Sequence, residues 1–142
     1  MRAMEAEAAR NLLAGVWRVE RSYWEDEQGN RIEKDVFGTV RYDIASDGRF
    51  RIRAEVSWPG ITIEYRGTVE IRSAEEDNGT LHGRIEHHLH TSNKVLAGSV
   101  QEREWALSPD GRTLTLKSAI PQQVKGIAGL VKIQLSLHRK TD

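Results

Sequence analysis

Apolar and polar residues alternate along most of this chain with a period of two. The alternation is clearest over residues 61–72, where every second position is apolar or glycine and the positions between are threonine or charged. This period places the two sets on opposite faces of a β-strand, so the segment is typical of a strand that is buried on one side only. The same pattern predicts strands at 16–24, 37–45, 49–56, 81–90, 99–107, 112–119 and 130–139.

Short turn sequences separate many of these strands, at 46–48, 59–60, 77–79 and 109–111. They consist of Ser, Asp, Asn, Pro and Gly, the residues that tight turns favour. Consecutive strands joined by tight turns form an antiparallel up-and-down meander, and such a sheet can close into a barrel without exposed edges. The longer connections 25–36 and 120–129 are predicted to be loops at one end, with 59–60 and 91–98, and that end is interpreted as the mouth.

The first residues follow a different pattern. Residues 2–13 are rich in Ala, Glu, Arg and Leu, with Met4, Ala8 and Leu12 at helical spacing and a glycine shortly after them. This pattern predicts a short amphipathic helix. The predicted organisation is therefore a helix within residues 1–14 that closes one end of a barrel, and a single all-β barrel domain of eight (eight to nine) strands in residues 15–142.

The segment 12–17, Leu-Leu-Ala-Gly-Val-Trp, opens the first strand directly after the helix. It resembles the Gly-x-Trp signature of the lipocalins, and most of all the small bacterial lipocalin-like domains with a calycin-type barrel. In that family the tryptophan plugs the closed end and an arginine from the last strand packs across it. The resemblance implies these structural roles for Gly15, Trp17 and Arg139. It also implies an internal ligand cavity, in a family that includes both carriers and cofactor-free enzymes.

The amino-acid composition limits the classes of molecule that this protein is expected to bind. The 142 residues carry 21 basic and 21 acidic side chains, so no basic surface for nucleic acid or an anionic membrane is expected. A small hydrophobic or amphiphilic molecule is the predicted partner of a monomer or homodimer. The absence of cysteine excludes disulfides and thiolate chemistry. An acidic N-terminus and the lack of an apolar run of roughly 20 residues predict a cytoplasmic protein.

The inner faces of the predicted strands also carry polar residues. One strand register places Tyr65 opposite His87, and a register for the next pair sets His87 beside Arg103. These three residues would then form a polar row inside the barrel, with Gln101 one step nearer the mouth. Because a few placed polar groups orient a small ligand in an apolar cavity, the row favours a ligand site.

Two functions and one structural alternative remain open at this point. The barrel binds a small, largely apolar metabolite, or it is a cofactor-independent isomerase or cyclase. In the enzyme, neutral His87 would be the general base, and Tyr65 and Arg103 would stabilise an enolate or alkoxide. In the structural alternative, neighbours satisfy these polar groups and His87 is a hydrogen-bonded core histidine. The predicted ligand-binding residues face inward: Tyr42, Ile52, Ala54, Val56, Trp58, Ile63, Tyr65, His87, Leu89, Gln101, Arg103 and Trp105.

Two other features have competing interpretations. His88 and His90 share a strand face, as a metal-binding pair would, but that face is the solvated one, so neither a metal nor a cofactor is predicted. Trp58 either gates the mouth or caps a hairpin. Tyr23 and Trp24 either line the rim of the pocket or pack outside it.

Overall fold

The computed structural model describes residues 2–91, 100–119 and 130–140. The predicted connections at 92–98 and 120–129 lie outside the described residues. Two elements precede the barrel, the strand β1 (Arg2–Ala3) and the helix α1 (Ala6–Leu13). The remaining strands are β2 (Gly15–Asp26), β3 (Arg31–Lys34), β4 (Phe37–Ile44), β5 (Phe50–Trp58), β6 (Ile61–Asp77), β7 (Thr80–Thr91), β8 (Val100–Leu107), β9 (Thr113–Ala119) and β10 (Leu130–Arg139).

Eight antiparallel strands form a closed barrel in the order β6-β5-β4-β2-β10-β9-β8-β7, and β7 pairs back onto β6. The two short strands lie off this circle, with β1 on β6 and β3 on β2. The predicted all-β barrel with a short N-terminal helix is confirmed. Within the described ranges, none of the helical segments has the length and hydrophobicity needed to cross a membrane.

The strands alternate in direction, so the connections divide between two ends of the barrel. We call one of them the helix end, because β2 starts there directly after α1; the turns 45–49, 78–79 and 108–112 lie at the same end. The opposite end, which we call the far end, carries the turns 27–30 and 59–60. The inner faces are apolar over most of their length, and Ala9 and Leu13 of α1 belong to the same buried core.

Arg139 joins several segments at the helix end. Its guanidinium carbon lies 4.2 Å from the centroid of the Trp17 ring. The same group donates hydrogen bonds to the carbonyl oxygens of Ala14 (2.9 Å), Gly111 (3.1 Å) and Leu12. The indole N–H of Trp17 donates to the carbonyl of Leu13, at 2.9 Å.

Gly15 packs against the Arg139 guanidinium with its backbone. Its φ is +136°, and a Cβ at this position would lie 2.8 Å from Nη1 of Arg139. Both observations favour glycine, since other residues rarely adopt this φ and a side chain would displace the guanidinium. The structure therefore brings Gly15, Trp17 and Arg139 together at one end of the barrel.

Two predicted boundaries are wrong. The helix begins at Ala6 rather than at residue 2, because Arg2–Ala3 pairs with the end of β6 and the amide of Met4 donates to the carbonyl of Ala74. Residues 25–36 are a hairpin rather than a long loop. Asp26 closes its turn by accepting hydrogen bonds from the amides of Gln28 and Asn30, at 3.0 and 2.8 Å.

The predicted strand registers are also wrong. In the β6–β7 pair His87 lies opposite Val69, not Tyr65, and Tyr65 lies opposite Thr91. The two strands pair as far as a two-residue turn at Asn78-Gly79, where both φ angles are positive, and a β-bulge between Ile71 and Ser73 accommodates the extra length.

In the β7–β8 pair His87 lies opposite Gln101, and Arg103 lies opposite Ile85. Both predicted registers are displaced by an even number of residues, four in the first pair and two in the second. Because strand side chains alternate, an even shift keeps the same residues on the inner face.

Candidate functional site

Four polar side chains from four strands meet inside the barrel. They are Tyr42 on β4, Tyr65 on β6, His87 on β7 and Arg103 on β8. The exposed fractions are 0% for His87, 1% for Tyr42 and 7% for Tyr65, so three of the four are buried. Three of these residues belong to the polar row that the sequence predicts, although no shared register places them side by side. The curvature of the barrel brings them together across its interior.

The hydroxyl of Tyr42 and Nε2 of His87 form a hydrogen bond of 2.9 Å. Burial raises the pKa of the Tyr42 phenol above its usual range, because desolvation disfavours the phenolate. Burial and then the positive charge of Arg103 lower the pKa of His87 well below its usual 6.5. The pair is therefore a protonated phenol and a neutral imidazole. Nδ1 of His87 has no hydrogen-bond partner in the described part of the chain.

Arg103 and Tyr65 form the second half of the cluster. Nη1 of Arg103 lies 3.5 Å from the Tyr65 hydroxyl, and the guanidinium carbon lies 5.7 Å from the centroid of the Tyr65 ring. Nε of Arg103 is buried and has no partner among residues 2–91, 100–119 and 130–140. Gln101, two residues earlier on β8, is buried on the same face. The cluster thus holds buried polar atoms with unused hydrogen-bonding capacity.

A pair of tryptophans lies towards the far end. The rings of Trp24 and Trp58 contact edge to face, with centroids 5.9 Å apart. Both indole N–H groups donate to the Oγ atom of Ser22, each at 3.0 Å, and Ser22 is fully buried. Trp58 on β5 therefore packs against Trp24 on β2, while Tyr23 lies on the outer face beneath the guanidinium of Arg31, at 4.8 Å.

Sequence analysis missed Ser22 because of a bulge in β2. Pairing with β10 shifts between Val19 and Arg21, so Glu20 and Arg21 are both exposed. Strict alternation from Trp17 would place Ser22 outside, and the bulge reverses the phase and turns it inward. The spacing of Ser22 and Trp24 could have revealed this orientation, because residues two positions apart on a strand share a face.

The remaining predicted ligand-binding residues form apolar walls. Ala54 lies opposite Tyr65 and Ile52 opposite Tyr42, so both border the polar cluster. Trp105 lies nearer the helix end, where its indole N–H donates to the carbonyl of Ser73 at 3.3 Å across Gly83. Of the other members, Val56 and Leu89 are buried and Ile63 is half-buried.

The outer face of β7 carries an ionic group. Nε2 of His88 lies 3.5 Å from Glu86 and 3.9 Å from Glu70, and Arg72 pairs with the same two carboxylates at 2.9 and 3.2 Å. The hydrogen bond from Arg72 lowers the pKa of Glu86. One ligand atom each from Glu70, Glu86 and His88 lies within 4.8 Å of the others, as in a metal site, but both carboxylates already form ion pairs with Arg72. The side chain of His90 lies outside the described atoms.

Comparison with known proteins identifies the fold. No protein-family model matches the chain, and no curated protein matches it. Among solved structures, EF1p2_mFAP2b bound to DFHBI is similar with a TM-score of 0.55 and 16% identity, covering 96% of this chain and 100% of that chain. A redesigned beta barrel, mFAP1, bound to DFHBI, has a TM-score of 0.50 and 19% identity, covering 92% and 98%. At this level of identity the likeness shows a shared closed antiparallel β-barrel.

Proposed function

We propose that this barrel binds a small, largely apolar molecule in its interior, next to Tyr42, Tyr65, His87 and Arg103. The observation that carries the proposal is a polar cluster in which two nitrogens have no hydrogen-bond partner among the described residues, inside walls that are mostly apolar. Each buried polar group without a hydrogen bond costs about 1–3 kcal/mol of stability. A ligand that accepts or donates at these atoms would offset that cost.

The solved structures that share this fold support the proposal. Both have DFHBI, a small aromatic molecule, bound. The far end of this barrel also carries the half-buried tryptophans Trp24 and Trp58, whose rings offer aromatic surface to an apolar ligand.

The helix end supports a proposed relationship to lipocalin-like domains. Stacking of Arg139 on Trp17 is the contact that the resemblance implies, and Leu13 of α1 is buried beside this pair. We propose that α1 closes this end and that the ligand enters from the far end. The cytoplasmic location and the monomeric or homodimeric state stay predictions from the sequence.

A pair of adjacent substitutions tests binding inside the barrel. Ala54 is buried on the inner face of β5, whereas its neighbour Glu55 is exposed on the outer face. A54F should fill the space beside Tyr65 and abolish the fluorescence response of N-phenylnaphthylamine, a neutral dye that emits in apolar surroundings. E55F is the matched control and should bind the dye as the wild type does. Equal binding by both variants would contradict an interior site, as would no binding by the wild type.

Native mass spectrometry of the purified protein complements the dye assay. A molecule that co-purifies with the wild type and is lost from A54F would identify the natural ligand. Circular dichroism must show that both variants keep the barrel.

A second candidate function is a cofactor-independent isomerase or cyclase. The observation that favours it is the neutral His87, whose Nδ1 has no partner among the described residues and which lies close enough to Arg103 to respond to its charge. A neutral imidazole can accept a proton from a bound substrate, and Arg103 with Tyr65 can stabilise the oxyanion that forms. Incubation of the co-purified molecule with protein in D₂O tests this reaction. H87Q should bind that molecule but abolish deuterium uptake, and unchanged uptake would refute catalysis.

A further inference from the structure

The charge inside the barrel defines the chemical class of the ligand. We propose that the bound molecule is an organic monoanion, an apolar body with one carboxylate or phenolate, and that Arg103 pairs with its anionic oxygen. This inference rests on the proposed binding function and goes further, because it assigns the charge of the ligand and the residue that recognises it.

The described part of the chain supplies no counter-charge to Arg103. A guanidinium keeps its positive charge throughout the pH range in which proteins fold. No carboxylate forms an ion pair with Arg103 in the described ranges, and its inner-face neighbours are Tyr65 on β6, Ile85 on β7 and Ser118 on β9.

The undescribed segments next to these strands add no acid either. Residues 92–99 and 120–129 contain no Asp or Glu, and their only charged residues are Lys94 and Lys125. Arg103 is half-buried and its Nε atom is fully buried, and a partly desolvated charge without a partner is costly, so an anion from outside the chain fits this position.

The number of charges distinguishes a monoanion from a phosphate. His87 is neutral, so the described cluster carries a single positive charge, that of Arg103. Phosphate sites commonly combine basic side chains with the N-terminus of a helix or a nest of backbone amides. Here the groups around Arg103 are phenols, an imidazole, the apolar side chain of Ile85 and the hydroxyl-bearing Ser118. A carboxylate or phenolate on an apolar body satisfies both parts of this surface.

The neutral imidazole can contribute a second donor. When the Tyr42 hydroxyl donates to Nε2 of His87, the ring proton lies on Nδ1, which has no partner in the described part of the chain. Nδ1–H of His87 and Nε–H of Arg103 are then two unused donors in one cluster. Two donors and one positive charge match the acceptor-only oxygen of an ionised acid.

Naphthoate and naphthamide test this inference, because they have nearly the same shape and differ in charge. Calorimetry should show that the wild type binds naphthoate roughly 10- to 100-fold more tightly than naphthamide, as expected for a charge-assisted hydrogen bond. R103M should lose this preference and keep its affinity for the amide. R53M, which removes an exposed arginine from β5, is the control for net charge and should keep the preference.

The possible outcomes separate the two proposals. If the wild type binds acid and amide equally, or if R103M weakens both alike, the anion assignment is overturned and the binding barrel stands. If the wild type binds neither compound, nor N-phenylnaphthylamine, both proposals fail. Should R103M not fold, competition in the wild type decides: benzoate must displace bound naphthoate at concentrations where benzamide does not.

Discussion

Replacing His87 with glutamine should reduce the loss of stability that this protein shows in acid. His87 is fully buried, and burial together with Arg103 lowers its pKa well below the usual 6.5. In the unfolded chain the same imidazole titrates near 6.5. As the pH falls below that value, the unfolded chain takes up a proton that the folded chain does not. The contribution of His87 to the free energy of unfolding is therefore fully present above about pH 6.5. It decreases as the pH falls from 6.5 to the pKa of the folded state.

The size of this effect follows from the linkage between protonation and folding. Each pH unit between the two pKa values changes the free energy of unfolding by about 1.4 kcal/mol. At pH 5, roughly one and a half units below the unfolded pKa, the wild type should have lost up to about 2 kcal/mol through His87 alone. Domains are stable by only about 5–15 kcal/mol, so the loss is readily measured.

Urea denaturation followed by tryptophan fluorescence measures the effect, at about pH 7.5, 6.0 and 5.0 with constant ionic strength. The stability difference between wild type and H87Q should shift by up to about 2 kcal/mol in favour of H87Q between the highest and lowest pH. Carboxylates such as Glu86 are common to both proteins, so they cancel in the comparison. H82Q removes an outer-face histidine of the same strand and should behave as the wild type. A difference between wild type and H87Q that stays constant with pH would refute a neutral, buried His87.

Three further substitutions test individual contacts. Tyr42→Phe leaves Nε2 of His87 buried without its partner and should lower the free energy of unfolding in urea by about 1–3 kcal/mol; an unchanged midpoint would contradict the hydrogen bond. Ser22→Ala deprives two indole N–H groups of their acceptor and should cost a similar, roughly 1–3 kcal/mol, with altered tryptophan emission; unaltered emission would argue against the bridge. Arg139→Met removes the cation from the Trp17 ring and should lower the thermal midpoint, whereas Arg139→Lys should restore part of the loss.

Much of the fold was predictable because strand alternation is a local property. In a strand such as 61–72, the alternation of apolar and polar residues is enough to identify the inner face. The tight turns at Asn78-Gly79 and Gly48 are marked by residues that accept a positive φ. The hairpin at 25–36 was not predicted because its second strand, β3, is mostly charged and exposed. Its stability comes from pairing and from the carboxylate of Asp26, which a search for an apolar period does not detect.

The candidate site was only partly predictable. The sequence correctly predicted that three side chains face inward, those of Tyr65, His87 and Arg103. Their orientation was predicted correctly despite the wrong registers, because both registers were displaced by an even number of residues. The partner of His87 was not identified, since Tyr42 is 45 residues away in sequence and reaches it across the barrel interior. Ser22 was missed because a bulge moved it to the other face.

The amino-acid sequence by itself determined the eight barrel strands and most of the side chains that face inward, because a period of two and turn chemistry act over a few residues. Only the tertiary structure decided which inward residues meet. Bulges and two-residue turns determine the strand registers, and closure of the sheet brings side chains from β4, β6, β7 and β8 to one place. The same closure leaves Arg103 inside without a carboxylate among the described residues. That arrangement depends on several elements at once, so no local pattern reveals it.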